Sequence, residues 1–585
     1  MSLSRREFMQ LLGMAGAANL LPASLRAEQA NHALYDVSAF GNVTLMHFTD
    51  CHAQLKPIYF REPSVNLGLG PALGQVPHVV GQHFLQQFGI QANSRQAHAL
   101  TYLDFDTLAK HYGRVGGFAH LATLVQQIRA SRPVGGTLLL DGGDTWQGSG
   151  TAYWTQGQDM LGACNLLGVD VMTGHWEFTY QDKQVRKNIE QFNGQFLAQN
   201  IKVEDEALFE GAEAFDEDSG HAFQPYAIKT VGGARIAVIG QAFPYTPIAN
   251  PKRFIPEWTF GINDQDMQAL VNRIRSQDKP DAVVVLSHNG MDVDLKMATR
   301  VTGIDVILGG HTHDGIVKPI EVPNARGKTL VTNAGSNGKF LGVMDLDIRQ
   351  GQVQGYRYRL LPVFSNLLPA DPAMAAYIEQ VRAPYEAKLQ QPLAVADETL
   401  YRRGNFNGTF DQVICDALRD VNDAQIALSP GFRWGTTVLP GQTITMEHVL
   451  DQTCVTYPET YTREMTGQAL HEILEDVADN LFNLDPYLQQ GGDMVRVGGM
   501  DYTLAPRQSM GARVTDMRLD NGQAVMPNKT YKVSGWATVN SVASGEPVWD
   551  TVARYLKAQK TISVKKRNTP HLKGVQGNPG IGDYP

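Results

Sequence analysis

Val306-Ile307-Leu308-Gly309-Gly310-His311-Thr312-His313-Asp314 is the stretch from which the fold can be read. Its apolar start predicts a short buried strand, and the paired glycines let the strand end turn sharply. His311 and His313 stand one residue apart, and in extended backbone residues at i and i+2 point the same way. A strand end that delivers two imidazoles to one spot suits a divalent metal better than an apolar core.

Other stretches end in the same manner. Val43 to His52 reads as a strand closing on Asp50 and His52, with Cys51 turned away by the same alternation. Thr137 to Asp144 closes on a carboxylate. An aspartate has two oxygens and can bridge two ions, so Asp144 is the expected bridge, while Asp141 sets the turn or supports the ligands from behind. Val169 to Thr179 carries His175, and Ala282 to Asn289 carries His288 with Asn289 as a supporting group. Further strands are expected at Arg235 to Gly240 and Thr329 to Gly335, and a helix over Phe118 to Ala130. The candidate ligands are Asp50, His52, Asp144, His175, His288, His311 and His313. With Asp144 shared, each of two metals receives four protein ligands, as a two-metal hydrolytic site requires. Oxygen and nitrogen donors without thiolate suit manganese, zinc or iron.

The chain has 585 residues, too many for one compact core, so two large domains are expected. A net charge of −9, with no basic, aromatic-rich groove, argues against a nucleic-acid partner. Ser4-Arg5-Arg6-Glu7-Phe8-Met9, the apolar run Leu11 to Leu21 and small residues near Ala23 and Ala27 form a twin-arginine export pattern. Residues 1–27 are therefore expected to be a signal peptide, and the protein to work folded in a bacterial periplasm, with no membrane attachment after export. The four cysteines, Cys51, Cys164, Cys415 and Cys454, are widely spaced and form no C-x-x-C pair, which argues against a disulfide framework, although Cys415 and Cys454 could pair in an oxidising compartment.

The polar helical segment Asp371 to Leu389, interrupted by Pro384, with Pro392 after it marks a boundary. It divides a catalytic domain (28–370) from a linker helix (371–392) and a C-terminal domain (393–585). The C-terminal part opens on Arg402-Arg403-Gly404-Asn405 and a helix ending near Asp416 to Leu418. It then carries Ser429-Pro430-Gly431-Phe432-Arg433-Trp434-Gly435, a glycine-rich turn presenting an arginine, and Gln489-Gln490-Gly491-Gly492-Asp493-Met494 after the helix Gly467 to Leu481. Ala53 to about Arg95 reads as an insertion loop near the site mouth.

In this order, D-x-H, G-G-D, G-H-W-E-F, S-H-N-G and G-G-H-T-H resemble the 5′-nucleotidase metallophosphoesterase family. Phe410 to Leu418 and Gly431-Phe432-Arg433 resemble its second, substrate-binding domain. The resemblance implies an α/β protein: a four-layered α/β/β/α catalytic domain, a C-terminal α+β domain and a cleft between them. Three departures bear on activity. The family's catalytic histidine is Trp176 here, its partner aspartate is Thr179, and the nucleobase-stacking aromatics are Glu459 and Met494. Tryptophan cannot act as an acid near neutral pH.

Thr-Gly-His-Trp-Glu-Phe-Thr, Gln489 to Met494 and the twin-arginine pattern together resemble the SoxB family, the dimanganese thiosulfohydrolases of bacterial sulfur oxidation. That resemblance implies release of sulfate from a cysteine S-thiosulfonate on the carrier protein SoxYZ, by attack of dimetal-activated water on the sulfonate sulfur. A persulfide leaves more readily than an alkoxide, so no general-acid histidine is needed. Arg433 is then the expected grip on the sulfonate, Trp176 a wall of the channel, and Asp493 a contact to the carrier or an orienter of Arg433. The alternative is a 5′-nucleotidase, another phosphomonoesterase or a nucleotide-sugar hydrolase.

Overall fold

The computed structural model describes residues 34–584, so the twin-arginine stretch lies outside the described residues. Its N-terminal part contains β1 (Val43–Phe48), β2 (Thr137–Asp141), β3 (Val171–Met172), β4 (Gln195–Phe196), β5 (Ile201–Val203), β6 (Tyr226–Val231) and β7 (Ala234–Gln241). These are followed by β8 (Trp258–Phe260), β9 (Ala282–Ser287), β10 (Val306–Gly309), β11 (Ile320–Asn324), β12 (Gly327–Asn333), β13 (Phe340–Arg349) and β14 (Gln352–Pro362).

Two six-stranded sheets result, ordered β14-β13-β1-β2-β3-β4 and β11-β12-β10-β9-β7-β6. In the first, β1 through β4 run parallel; in the second, β7, β9, β10 and β12 do. The first carries the antiparallel hairpin β13-β14 at one edge, and the second carries antiparallel hairpins at both, β11-β12 and β6-β7. Buried on both faces, these strands are continuous apolar runs, and Ala-Val-Val-Val-Leu-Ser of β9 is the clearest. Leu45, Leu138 and Val171 of one sheet pack against Val238, Val284 and Val306 of the other, which forms the inner core. The helices Phe118–Ala130 and Pro372–Arg382 cover the outer face of the first sheet, and Asp264–Gln277 and Met291–Arg300 that of the second. This is the expected four-layered α/β/β/α arrangement.

The linker is two helices, Pro372–Arg382 and Glu386–Leu389, broken around Pro384. Beyond it, strands Thr460–Thr466, Thr530–Trp536, Ile426–Ser429 and Arg496–Gly498 form a four-stranded mixed sheet, with helices Thr409–Val421 and Gly467–Phe482 beside it. The first of these helices runs one turn past its expected end.

The wide spacing of the cysteines argues against a disulfide framework, and Cys415 and Cys454 do not pair; all four thiols are free and buried. Nor is Ala53 to Arg95 a simple loop. It holds the helix Gly81–Phe88, and its backbone is tied to the C-terminal domain through Leu67 N–H to Asn405 Oδ1 (2.7 Å) and Asn66 N–H to the Gly580 carbonyl (2.8 Å). It therefore braces the two domains together. Among the described residues no helix is long and apolar enough to cross a membrane.

Candidate metal centre

Parallel strands of both sheets end on the same side, and the loops beyond β1, β2, β3, β9 and β10 meet there. The donors fall into two groups, Asp144, His175, His288 and His311, and Asp50, His52 and His313; within each, the donor atoms lie within 4.8 Å of one another. All seven side chains are buried. The structure thus gathers every ligand candidate, but it divides His311 from His313, which the extended-strand argument sends to one spot.

The cause is backbone conformation. His311 and His313 have φ of 70° and 62°, and Asp50, His52 and Asp144 lie at 52°, 45° and 57°. These residues sit in left-handed turns beyond the strands, where the alternation of a strand no longer applies. A non-glycine residue held there costs about 1–3 kcal/mol, a strain that surrounding contacts must offset. Asp50 supplies one: its two carboxylate oxygens accept from His311 N–H at 3.0 Å. Thr49 Oγ1 donates to Asp50 Oδ2 at 2.5 Å. Gly310 has no room for a side chain, because a Cβ there would stand 2.5 Å from Thr49 Oγ1 and 3.1 Å from Asp50 Oδ2.

Asp144 Oδ2 lies 3.3 Å from His175 Nδ1 and 3.0 Å from His288 Nε2, and 3.9 Å from His52 Nε2 of the other group. It is placed between the two groups, as a bridge must be. Its other oxygen, Oδ1, accepts from Trp176 N–H at 2.7 Å, which fixes the orientation of the carboxylate. His288 Nδ1 donates to the Gly142 carbonyl at 2.6 Å, which leaves Nε2 free to coordinate. Burial opposes charge on His288, yet Asp144 and Asp50 raise its pKa to about 10. Burial lowers that of His52 to about 3. His52 and His313 bring their Nε2 atoms within 3.0 Å of each other in this dry setting. Two carboxylates and five convergent imidazoles fit a pair of divalent ions.

Glu177 escaped the sequence reading although it lies within the quoted G-H-W-E-F stretch. Fully buried, its Oε1 accepts from Thr145 N–H (2.8 Å) and Trp146 N–H (3.2 Å), and its Oε2 from His175 N–H (2.8 Å) and Asp144 N–H (3.3 Å). One carboxylate thereby fixes the loops that carry two ligands. Burial, then Asp144, raises its pKa. Asp141 sets its own turn, accepting from Gly143 N–H (3.0 Å) and Thr145 Oγ1 (2.7 Å). Asn289 binds Asp294 Oδ1 and Gln241 Nε2, both at 3.0 Å.

The C-terminal domain closes over this centre. Trp176 packs edge-on against Phe432 and Trp434, at centroid distances of 5.3 and 5.0 Å. Arg433 Nη2 donates to the Gly492 carbonyl at 2.9 Å, and its Nη1 has no hydrogen-bond partner among the described residues. Asp493 is buried and lines both cavities at this centre. It lies among arginines, 3.7 Å from Arg433 Nε and 3.5 Å from Arg496 Nη2, and accepts from Asn405 Nδ2 at 3.0 Å. Met494 is buried in the C-terminal core with Phe406 and Tyr502, not presented to the cleft.

Two cavities meet at Arg433, His311 and Gly491 to Asp493. One, of about 290 Å³, lies over the ligands and is walled by Trp176, Phe243, Phe432 and Trp434. The other, of about 340 Å³, leads out past Leu67, Val76 and Leu484.

Residues 389–553 match the family described as 5′-nucleotidase, C-terminal domain. The chain is 27% identical over 476 residues to the trifunctional nucleotide phosphoesterase YfkN of Bacillus subtilis, covering 73% of this chain but only 31% of that protein. To the 5′-nucleotidase of Bos taurus it is 26% identical, covering 72% of this chain and 76% of that one. Among solved structures, the sulfate thiohydrolase SoxB of Thermus thermophilus, in complex with glycerol, is 34% identical, with a TM-score of 0.84 over 92% of this chain and 98% of that one. A 5′-nucleotidase precursor, also of Thermus thermophilus, is 21% identical with a TM-score of 0.69 and shares the fold over 91% of this chain and 99% of that one. On this likeness, and with a donor set arranged for two metal ions, the chain belongs to the SoxB/5′-nucleotidase superfamily of metal-dependent hydrolases.

Proposed function

We propose that this chain is a periplasmic thiosulfohydrolase that releases sulfate from a cysteine S-thiosulfonate on the carrier protein SoxYZ, with two manganese ions as its cofactor and zinc or iron as the alternatives. The observation that carries this reading is the wall beside the ligands. Trp176 stands there with Phe243, Phe432 and Trp434, and among the described residues the histidines lining that cavity are His52, His175, His311 and His313, all of them ligands. A site without a free imidazole suits a leaving group that departs without a proton.

Two divalent ions held by the seven side chains supply Lewis acidity and water activation. The residues of the chain do the rest. Arg433, which lines both cavities, grips the sulfonate oxygens, with Asp493 beside the guanidinium to orient it. Water gives up its protons to solvent as its oxygen bonds the sulfonate sulfur, the bond to the neighbouring sulfur breaks with its electron pair leaving on the carrier's persulfide, and sulfate is released. Trp176 and Trp434 keep bulk water from the reacting atoms. The 340 Å³ cavity, bounded on one side by the Ala53 to Arg95 segment, admits the arm of the carrier. The 34% identity to SoxB supports the assignment. Nucleotidase names among the curated relatives favour the second reading, a phosphomonoesterase on the same metals. Incubation of metal-loaded protein with sulfur and nucleotide substrates side by side separates the two.

A further inference from the structure

The metal ligands all come from the catalytic domain, yet several are touched from the other side by the C-terminal domain. Arg403 Nη2 donates to the Thr312 carbonyl at 2.8 Å. Thr312 is the residue between His311, which belongs to one ligand group, and His313, which belongs to the other. Trp434 stacks on the His52 ring at a centroid distance of 5.2 Å and an interplanar angle of 29°. Gly491 lies so close to His311 that a Cβ there would stand 2.5 Å from its Nε2 and 2.9 Å from Phe243.

The His311-Thr312-His313 loop needs external support, because both histidines hold left-handed backbone. Inside its own domain, His311 N–H is held by Asp50, and Thr312 Oγ1 accepts from Met291 N–H at 3.1 Å. The Thr312 carbonyl faces the other domain, and Arg403 is the group that meets it. Arg403 is buried, and Asp493 lies 4.0 Å from its Nη1, so its charge is partly balanced where it stands.

We propose that Arg403 is a positioning residue for the metal centre and that the C-terminal domain forms the outer half of a metal clasp, so that the ions are retained tightly only while the two domains are closed. Arg403 holds the peptide that separates the two ligand groups, Gly491 backs the ring of His311, and Trp434 backs the ring of His52. Opening of the cleft would release all three supports at once. The inference concerns retention of the ions and stands whichever oxyanion the centre cleaves.

One opposing effect has to be weighed. A guanidinium beside two dications repels them, so deleting it could tighten metal binding by field alone. The conservative lysine keeps the charge and one donor, and the two effects therefore give opposite orders among variants.

The test is the rate at which full-length, manganese-loaded protein loses metal to an excess of chelator, read by metal content, with thermal unfolding of loaded and metal-free protein alongside. Arg403→Met is expected to speed metal loss about 10- to 100-fold, the range seen when a group supporting a ligand is removed. Arg403→Lys is expected to fall between it and the parent. The gap in Tm between loaded and metal-free protein should shrink, while the metal-free Tm moves little. Should Arg403→Met fail to fold, Gly491→Ala provides the same readout, since its Cβ must displace His311 or lift the Gln489 to Met494 stretch, and faster metal loss is again expected. Unchanged metal loss in folded Arg403→Met and Gly491→Ala would overturn the proposal. Slower loss in Arg403→Met than in Arg403→Lys would overturn it as well, since Arg403 would then act only through its charge.

Discussion

Glu177→Gln changes one oxygen into an amide nitrogen at a place where every facing group is a backbone donor. The carboxylate accepts from the N–H groups of Asp144, Thr145, Trp146 and His175, two at each oxygen. In the variant, whichever way the amide is turned, one pair of N–H groups faces another donor. Hydrogen bonds to a charged group contribute about 1.5–3 kcal/mol each, and the two longer ones, at 3.2 and 3.3 Å, belong at the low end. The loss of one pair is thus about 3–5 kcal/mol, which for a domain of this size lowers Tm by about 4–7 °C. Because Asp144 and His175 ride on the same loops, metal affinity is expected to fall about 10- to 100-fold as well. Thermal unfolding of metal-free protein and a manganese titration measure the two effects separately. If the Glu177→Gln protein unfolds within about 1 °C of the parent and binds manganese equally well, the assignment of Glu177 as the organiser of these loops is refuted.

Other outcomes follow from the same geometry. Arg433→Met should lower kcat/KM for the carrier-bound substrate by about 10²–10³, the usual loss when an oxyanion donor is removed, with metal content unchanged. Trp176→Ala leaves a void against Phe432 and Trp434 and should cost about 3–5 kcal/mol in denaturant unfolding, without conferring phosphatase activity. Asp451→Asn tests a buried carboxylate that Gln54 links to the backbone carbonyl of His52. Burial, and then Glu447, raises the Asp451 pKa from 3.8 to about 8. Between those values the unfolded chain releases a proton that the folded chain keeps, so this group's contribution is most favourable at low pH and declines until pH reaches about 8. The variant keeps the contacts with Gln54 and Thr436 but cannot ionise, so its advantage in Tm over the parent should be larger at pH 8 than at pH 5.

The donors and the layers were legible because both follow from short-range pattern. Continuous apolar runs such as Val283 to Leu286 mark strands buried on both faces, and a metal ligand placed just past the run marks the strand end. The partition of the ligands was not legible. Spacing i and i+2 implies one direction only in extended backbone, and the φ of 70° and 62° at His311 and His313 comes from long-range contacts such as that with Asp50. Glu177 sits between two aromatic residues, where nothing in the local pattern separates an organising carboxylate from an exposed one. Arg403 is the second of two adjacent arginines, and Arg402 turns instead to Asp411 at 2.7 Å. Only the packing of one domain on the other tells them apart. Met494 shows the opposite error, since a motif position in the family's cleft is here a core residue.

The most direct measurement is sulfate release by the manganese-loaded protein from SoxYZ carrying a cysteine S-thiosulfonate, with AMP in a parallel reaction and Asp144→Ala as the metal-deficient control. Sulfate from the carrier, no phosphate from AMP and no sulfate with Asp144→Ala are the expected results. Rapid phosphate release from AMP with an inert carrier would contradict the thiosulfohydrolase reading and place the chain with the phosphomonoesterases of its superfamily.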